Sequence, residues 1–276
     1  MRADLHLHST YSDGLYAPDE ICRRAKENGL NLLSITDHDT LAGLDVKRAA
    51  AKKYGLTYLS GWEISAYSGV NQMHILGYGC KMDEGYEAFM QKRKDSAAAR
   101  AKESVEKFRA LGVPMSLSDV ENMRKDSTTP IHTMHVARAA ALYLGIPAGE
   151  VYSKYLAVGK PANSNIGRPT PEEAIDCIHE LGGIASIAHP GRILMPIESR
   201  NLLIERLCNY GVDGIEAVYS THTEEETAYF LAFAKDRGLL VTGGSDTHYA
   251  DAKHEIGEPK FCPSEELIYA LRGKLE

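Results

Sequence analysis

Histidines and acidic residues recur near the start of the chain at a spacing that suits metal binding. In the stretch ADLHLHSTYSDG, which begins at Ala3, His6 and His8 alternate with leucines, and Asp13 follows in a turn-like SDG. Successive side chains of a strand point to opposite faces, so His6 and His8 share one face. Two imidazoles at that spacing present two nitrogens to one cation, which a first-row metal binds at about 2.0–2.2 Å.

Residues of the same types follow later strand-like segments. Asp246 and His248, in SDTH, repeat the two-residue spacing, and the other candidates in chain order are Asp37, His38, Glu63, His74 and His189. A single histidine in a strand is most simply a core or surface residue. Here, however, seven of the eleven histidines, these six and His222, fall at predicted strand ends, beside acidic residues that are costly to bury unless they are paired or bind a metal.

The segments that must position these residues alternate between apolar strand-like runs and amphipathic helical runs. Strand-like LNLLSITDHD and IASIAHP, for example, alternate with helical PDEICRRAKENG and NLLIERLCNYG. This alternation is typical of an α/β fold with parallel strands, and we count seven strands. In an α/β barrel the carboxyl ends of the strands surround one mouth, so the candidate ligands should converge there.

Between the two strand-rich halves the pattern becomes purely helical. It begins after Met82, includes the long charged run FMQKRKDSAAARAKESVEKFRALG and continues to Asn165. We therefore predict a barrel formed by residues 1–82 and 166–276, with a helical insertion at 83–165 that caps the barrel mouth.

Composition and charge exclude several classes of function. The 276 residues carry a formal net charge of −7, which disfavours long nucleic acid as a partner. The five cysteines are odd in number and form no CxxC pair, which fits a reducing cytoplasm. The chain has neither a signal-like start nor a run near the ~20 apolar residues that span a bilayer, so we expect a cytoplasmic protein without a membrane partner. The oligomeric state stays open.

Six short motifs resemble, in order along the chain, those of the PHP (polymerase and histidinol phosphatase) family. They are DLHLHSTYSDG, ITDHDT, GWEIS, HILGY, IAHPGR and GGSDTH, and they cover both halves of the chain outside the predicted insertion. The resemblance implies a distorted seven-stranded (β/α)7 TIM-like barrel, related to the amidohydrolases, with two or three divalent metal ions.

The resemblance also implies a ligand set. The first cation would be held by His6, His8 and Asp246, the second by Glu63, His74 and His189 with Glu63 bridging to the first, and the third by Asp13, His38 and His248. Imidazole and carboxylate ligands without thiolate suit zinc, manganese or iron and do not decide among them. Asp4 and Asp37 flank ligands and would either orient imidazoles or cap local backbone.

Two cations that share Glu63 would also share a water, lower the pKa of that water from about 15.7 toward about 7 and aim the resulting hydroxide at an electrophile. The predicted reaction is therefore hydrolysis. Turnover should then depend on Glu63 and Asp246. Guanidinium groups bind phosphate in bidentate fashion, so Arg192 in HPGR and Arg168 in IGRP favour a phosphorylated substrate over a neutral amide.

Further substrate-side candidates come from the resemblance. Arg100 matches a position that is often arginine in relatives, and His222 resembles a histidine at the barrel mouth that would protonate the leaving oxygen, or would simply begin a helix. Many small-molecule phosphoesterases of the family have GRPH in the insertion. This chain keeps His135 in register but has Thr133 in place of the arginine, which weakens a preference for nucleotide bisphosphates and leaves open a different phosphate layout, such as a cyclic diester of a phosphorylated ribose.

The predicted function is therefore a metal-dependent phosphoesterase that acts on a small phosphorylated metabolite, a nucleotide or sugar phosphate, as a monoester or cyclic diester. Within the same class, histidinol phosphate and short RNA attacked from its 5′ end are alternatives. From other classes, a non-catalytic metal-binding module and an amidohydrolase stay open.

Overall fold

A computed structural model describes residues 1–69, 71–124, 131–249 and 254–276. The chain forms two compact units. The larger consists of Met1–Ser68, Gln72–Tyr86 and Pro169–Glu276, and the smaller of Gly69–Asn71 and Glu87–Arg168. The bounds of the predicted insertion, 83–165, and its position over a barrel mouth stay predictions.

The described strands form two sheets in a mixed α/β fold. The strands are β1 (Ala3–Leu7), β2 (Leu32–Ile35), β3 (Thr57–Tyr58), β4 (Gly61–Ser68), β5 (Asn71–Tyr78), β6 (Ile184–Ile187), β7 (Gly214–Tyr219) and β8 (Leu240–Gly244). One sheet has the order β1-β2-β3 and the other β4-β5-β6-β7-β8. Pairs β1/β2, β2/β3, β6/β7 and β7/β8 are parallel. Most apolar strand residues are buried, which is usual for parallel strands covered on both faces.

The expectation of parallel strands throughout is wrong at β5, which runs antiparallel to β6. Only residues 69 and 70 separate β4 from β5, too few for the crossover that parallel neighbours need. Hydrophobic periodicity indicates which residues are buried but does not indicate strand direction, so the sequence pattern missed this reversal.

The third strand of the sequence prediction is two strands in the structure. β3 pairs with β2, whereas β4 starts at Gly61 and pairs with β5. A Cβ atom at Gly61 would lie 2.3 Å from Oγ of Ser34, so the start of β4 passes β2 too closely for any side chain. The described residues thus contain eight strands where we expected seven.

Isolated bridges link the two sheets on both sides. Leu7, at the end of β1, pairs with Thr247, and His38, just after β2, pairs with Glu63 of β4. The first bridge brings the segment after β8 next to the end of β1, and the second brings the segment after β2 next to β4.

Helices occupy most of the remaining described chain. They are α1 (Pro18–Glu27), α2 (Leu44–Lys53), α3 (Glu84–Ala110), α4 (Leu117–Glu121), α5 (Thr133–Leu144), α6 (Ala148–Val151), α7 (Pro171–Glu180), α8 (Ile197–Tyr210), α9 (Glu224–Arg237) and α10 (Glu265–Ala270). A π-helical turn, Tyr152–Leu156, follows α6, and a 3₁₀ turn, Pro190–Arg192, follows β6. Thr170 and Thr223 accept hydrogen bonds from the first turns of α7 and α9 as N-caps.

Each unit has its own apolar core. Leu5, Leu76 and Leu267 are completely buried in the larger unit. Phe108, Met115 and Ala140 are completely buried in the smaller unit. Burial of a leucine or phenylalanine side chain contributes about 1.5–3 kcal/mol, so these clusters give each unit a source of stability within itself.

Among the described helices, none combines the length and the apolar character needed to cross a bilayer.

Candidate metal centre

Glu63 of β4 lies at the centre of the cluster of candidate ligands. Its side chain is completely buried, and its two oxygens face different groups of imidazoles. Oε1 lies 2.7 Å from Nδ1 of His74 and 3.0 Å from Nε2 of His189. Oε2 lies near three other imidazoles, those of His6 (3.3 Å), His8 (3.2 Å) and His38 (3.0 Å). A carboxylate with this arrangement can bridge two cations.

A first group of ligand atoms gathers where β1 and the segment after β8 meet. Nε2 of His8 lies 3.0 Å from Oδ1 of Asp246, and Nε2 of His6 lies 3.4 Å from the same oxygen. Ligand atoms of His6, His8, Glu63 and Asp246 all lie within 4.8 Å of one another. That is the spacing of atoms that surround one cation at about 2 Å.

A second group lies on the other side of Glu63. Ligand atoms of His38, Glu63 and His74 lie within 4.8 Å of one another. His189 joins them, because its Nε2 lies 3.3 Å from Nδ1 of His74. His189 and Asp246 both have positive φ, at 26° and 55°. Histidine and aspartate adopt this region more readily than β-branched residues do, so the residue types suit the backbone.

A third group lies toward solvent. Ligand atoms of His8, Asp13, His38 and His248 lie within 4.8 Å of one another. Nε2 of His248 is 3.3 Å from Oδ1 of Asp13, and the His8 and His248 rings stack with centroids 4.0 Å apart. The structure thus gathers all nine predicted ligands, but His8 and His38 each face two groups, so the division of ligands among cations is less sharp than we predicted.

The donor atoms at the centre of the cluster have the properties that a metal requires. Within the described chain, several buried nitrogens and oxygens have no hydrogen-bond partner, namely Nε2 of His6, both ring nitrogens of His8, Nδ1 of His38, Oε2 of Glu63 and Oδ1 of Asp246. Buried polar atoms without partners are costly, and here they point at one another. Divalent cations would satisfy them together, so the residues fit the implied metals.

The electrostatics favour ionised carboxylates. Burial alone would raise the pKa of Glu63, but the imidazoles around it, His74 first, hold that pKa well below its usual value. Burial alone would lower the pKa of His6, but the carboxylates around it, Glu216 first, raise that pKa well above its usual value. The negative charge that retains protons on imidazoles would equally attract divalent cations.

Among the described residues, the hydrogen bonds and ion pairs of Asp4 and Asp37 go to backbone amides and to neighbouring side chains. Asp4 accepts hydrogen bonds from the amides of His6, Ser245 and Gly257. Asp37 lies 2.6 Å from Nζ of Lys47, and both side chains are completely buried. Of the two roles considered for these aspartates, local capping is the one observed.

The carboxylate of Asp37 also fixes the segment that leads to Asp13. It accepts a hydrogen bond from the amide of Ser9 at 2.7 Å and from the hydroxyls of Ser9 and Ser12, each also at 2.7 Å. The ion pair with Lys47 therefore lies directly behind this segment.

Sequence reasoning missed two residues that contact the cluster, Glu216 and Tyr219. Glu216 of β7 is completely buried, with one oxygen 2.9 Å from Nδ1 of His6. The hydroxyl of Tyr219 donates to Oδ2 of Asp246 at 2.8 Å. The only signal in the sequence is an acidic residue inside the apolar run GIEAVYS, because a buried strand accepts a charge only where a partner exists.

Two substrate-side candidates of the larger unit bond to their own surroundings. Arg192 donates to Oε2 of Glu226 and to the carbonyl of Thr221, both at 2.6 Å. Nε2 of His222 accepts from the amide of Gly191 at 3.2 Å, and its Nδ1 donates to a backbone carbonyl. Burial lowers the pKa of His222. In this state His222 is neutral and has no proton at Nε2.

The other three substrate-side candidates belong to the smaller unit. Arg100 donates to the carbonyl of Ile166, and Arg168 donates to the carbonyl of Ser164. His135 is buried in the first turn of α5, where its Nδ1 accepts from the amide of His132. Their roles toward a substrate stay predictions.

The family model described as the PHP domain matches residues 4–146, slightly more than half of the chain. The chain belongs to the PHP domain family. The matched region includes six of the nine candidate ligands, from His6 to His74, so the resemblance seen in the short motifs is confirmed.

Curated PHP relatives match the chain over nearly its whole length. A 5′-3′ exoribonuclease of Haemophilus influenzae is 32% identical over 92% of this chain and 93% of its own length. A 3′,5′-nucleoside bisphosphate phosphatase of Chromobacterium violaceum is 33% identical over 94% of this chain and 92% of its own length. A phosphoribosyl 1,2-cyclic phosphate 1,2-diphosphodiesterase of Eggerthella lenta is 30% identical over 90% and 94%.

The fold is similar to that of a solved structure. An amidohydrolase from Chromobacterium violaceum, with bound sulfate and no metal, has a TM-score of 0.77 and 28% identity, and the match covers 100% of this chain and 98% of that one. With the family and these relatives, the enzyme class predicted from the sequence, a metal-dependent phosphoester hydrolase, is confirmed.

Proposed function

We propose that this PHP protein hydrolyses a phosphoester bond of a small phosphorylated metabolite, a nucleotide or sugar phosphate. Two or three divalent cations, manganese, zinc or iron, would be held by His6, His8, Asp13, His38, Glu63, His74, His189, Asp246 and His248. The observation that carries the proposal is the position of Glu63, whose two oxygens face two separate groups of imidazoles. A site for one cation has no need of such an arrangement.

Bound divalent cations supply Lewis acidity toward phosphoryl oxygens and a water acidic enough to attack at neutral pH. The task of the protein is to keep Glu63 and Asp246 ionised and correctly oriented. The imidazoles keep the pKa of both carboxyls low, and Tyr219 fixes Oδ2 of Asp246 so that Oδ1 faces the cluster.

Arg192 is our first candidate for binding the phosphate. It lies in the 3₁₀ turn that begins next to His189, and its guanidinium is partly exposed and already holds the carboxylate of Glu226. A phosphate would take the place of that carboxylate and form a bidentate pair. Arg168, Arg100 and His135 are further candidates for additional phosphate groups.

His222 is our candidate for protonating the leaving oxygen. For this role Nε2 would have to carry a proton and release the amide of Gly191. A neutral imidazole that orients the 3₁₀ turn is the competing role, and the two differ in their effect on pH dependence.

We also propose that the strands form one closed seven-stranded barrel. The bridges of Leu7 with Thr247 and of His38 with Glu63 support closure through β1, β2 and β4–β8, with β3 as a short addition to β2. The helical composition of the smaller unit supports the predicted helical insertion at 83–165.

The similar proteins support a phosphorylated substrate but differ in which one they use. Their names include a nucleoside bisphosphate phosphatase and a phosphoribosyl cyclic phosphate diphosphodiesterase. The net charge of −7 favours a small substrate over a long polyanion. A second candidate, removal of nucleotides from the 5′ end of short RNA, is favoured by the exoribonuclease relative at 32% identity.

A substrate panel tests the proposal. The purified protein, loaded in turn with Mn²⁺, Zn²⁺ and Fe²⁺, is assayed on nucleoside 3′,5′-bisphosphates, nucleoside monophosphates, ribose cyclic phosphates, histidinol phosphate, short 5′-phosphorylated RNA and simple amides. We expect metal-dependent phosphoester cleavage on a small substrate, which Glu63→Ala and Asp246→Ala abolish while the fold persists.

Preferential cleavage of RNA would establish the second candidate instead. Activity confined to amides would indicate an amidohydrolase, and metal binding without hydrolysis anywhere in the panel would indicate a non-catalytic module. Turnover by metal-loaded Glu63→Ala at the wild-type rate would show that the proposed centre is wrong.

A further inference from the structure

Glu216 is a buried carboxylate that makes two separate contacts with candidate ligands. It lies in β7, its side chain is completely inaccessible, and neither the motifs nor the mechanism above uses it. An ionised carboxylate is costly to bury unless hydrogen bonds compensate for the water it has lost. The hydrogen-bond partners of its two oxygens therefore indicate what the carboxylate does.

The first contact is to the ring of His6. Oε1 of Glu216 lies 2.9 Å from Nδ1 of His6. A carboxylate accepts, so Nδ1 carries a proton, and in the neutral ring, which is the form that binds a metal, Nε2 keeps its lone pair. That nitrogen is the one that faces Glu63 and Asp246, at 3.3 and 3.4 Å.

The second contact is to the backbone of His189. Oε2 of Glu216 accepts from the amide of His189 at 2.7 Å. His189 has φ 26° and ψ 59°, a conformation that few residues adopt without support from their surroundings. The bond holds the amide in place while Nε2 of His189 faces Glu63.

An irregularity in β7 coincides with this residue. The register between β7 and β8 shifts between Glu216 and Val218, so Ala217 is an extra residue in the ladder. Bulges of this kind change the direction of a side chain and often lie beside active sites.

We propose that Glu216 is a positioning residue that sets both halves of the metal centre, through the tautomer of His6 on one side of Glu63 and the backbone of His189 on the other. The inference rests on the metal-binding part of the proposed function and is independent of the substrate. A carboxylate behind a metal-binding histidine fixes ring orientation and raises the basicity of the ligand.

The test is cobalt binding by full-length Glu216→Gln. A glutamine can accept only at its oxygen, so it can satisfy one contact and must present its NH₂ group to the other. We expect the affinity for Co²⁺, measured by titration against a competing chelator, to fall about 10- to 100-fold. The visible absorption of bound Co²⁺ should also change, which a merely structural role would not cause.

Glu205→Gln is the matched control, because it removes the same charge from an exposed pair with Arg237. It should bind Co²⁺ as the wild type does. A folded Glu216→Gln protein with wild-type affinity and an unchanged spectrum would overturn the inference. Failure of the wild type to bind any divalent cation would instead overturn the proposed function, so the two failures are distinct.

A measurement on the unmodified chain covers the case in which Glu216→Gln does not fold. Nitrogen-15 NMR of the Zn²⁺-loaded protein, with the His6 signals identified by their loss in His6→Gln, reports which ring nitrogen carries the proton. We expect a protonated Nδ1 and a metal-bound Nε2. The reverse assignment would overturn the inference without any change to Glu216.

Discussion

The hydroxyl of Tyr219 donates a hydrogen bond of 2.8 Å to Oδ2 of Asp246, and the other carboxylate oxygen, Oδ1, faces His6 and His8. A hydrogen bond to a charged group contributes about 1.5–3 kcal/mol, and its loss frees Asp246 to rotate. Tyr219→Phe should therefore lower the affinity for Mn²⁺ about 10-fold, as measured by calorimetric titration.

Tyr210→Phe is the control for this prediction, because it removes a phenol–carboxylate bond of 2.7 Å to Asp176 on the surface. It should bind Mn²⁺ as the wild type does. Equal affinity of the Tyr219→Phe protein and the wild type would show that the phenol does not orient Asp246.

Substitution of Lys47 should cause a large loss of stability, because it breaks the buried ion pair with Asp37. Both side chains are completely buried, and Lys47→Met leaves the carboxylate of Asp37 without its cation. Removal of one partner of a buried pair costs about 3–5 kcal/mol, which urea unfolding of the metal-free protein would report. Lys53→Met, on the same helix, removes an exposed partner of Asp19 and should have little effect. Similar stabilities of the two variants would contradict this account.

His222 predicts how stability changes with pH. Burial lowers its pKa in the folded protein, whereas in the unfolded chain it takes up a proton near pH 6.5. The groups that face it are Glu216, Glu226 and Arg192. Because the unfolded state binds the proton more readily, the contribution of His222 to stability is full above pH 6.5 and declines as the pH falls toward the folded pKa.

Chemical unfolding of the metal-free wild type and of His222→Gln between pH 7.5 and 5.5 tests the direction of this pH dependence. The wild type should lose more stability than the variant across this interval. If His222 is instead protonated in the folded protein, as a resting general acid would be, the variant will show the same or the steeper decline.

Arg192 predicts a selective effect on substrate binding. Arg192→Ala should raise KM for the best phosphorylated substrate about 10- to 100-fold, because a charge-assisted bidentate contact is lost. Arg237→Ala, which removes a comparable exposed pair with Glu205, should leave KM unchanged. An unchanged KM in Arg192→Ala would assign the phosphate to other residues.

Sequence patterns were sufficient to locate the candidate ligands, because acidic residues that recur beside histidines at predicted strand ends are costly to bury unless they are paired or bind a metal. His6, Glu63 and Asp246 are distant along the chain, yet the expectation that all three lie at strand ends predicted that they would meet, although Glu63 is the third residue of β4. Short-range patterns could not divide the ligands among cations. His8 and His38 each face two groups, and this depends on ring orientations that only the assembled structure defines.

Sequence patterns did not predict the direction of β5 or the contacts of Glu216 and Tyr219, for a different reason. The reversal at β5 follows from a two-residue connection, which alternation of apolar residues does not reveal. Glu216 is significant only because β1 and the end of β6 bring His6 and His189 to its two oxygens. A contact between elements far apart in sequence leaves no local signature.

Some buried ring nitrogens and carboxylate oxygens lack hydrogen-bond partners within the described chain. Because bound cations would supply those partners in the folded protein alone, thermal stability should report how far the metal centre is occupied. A ligand that binds only the folded form adds about 1.4 kcal/mol of stability for each tenfold excess over its dissociation constant. The melting temperature should therefore climb steadily with the free concentration of the correct ion. A thermal screen across divalent salts would then rank the candidate metals before any substrate is known.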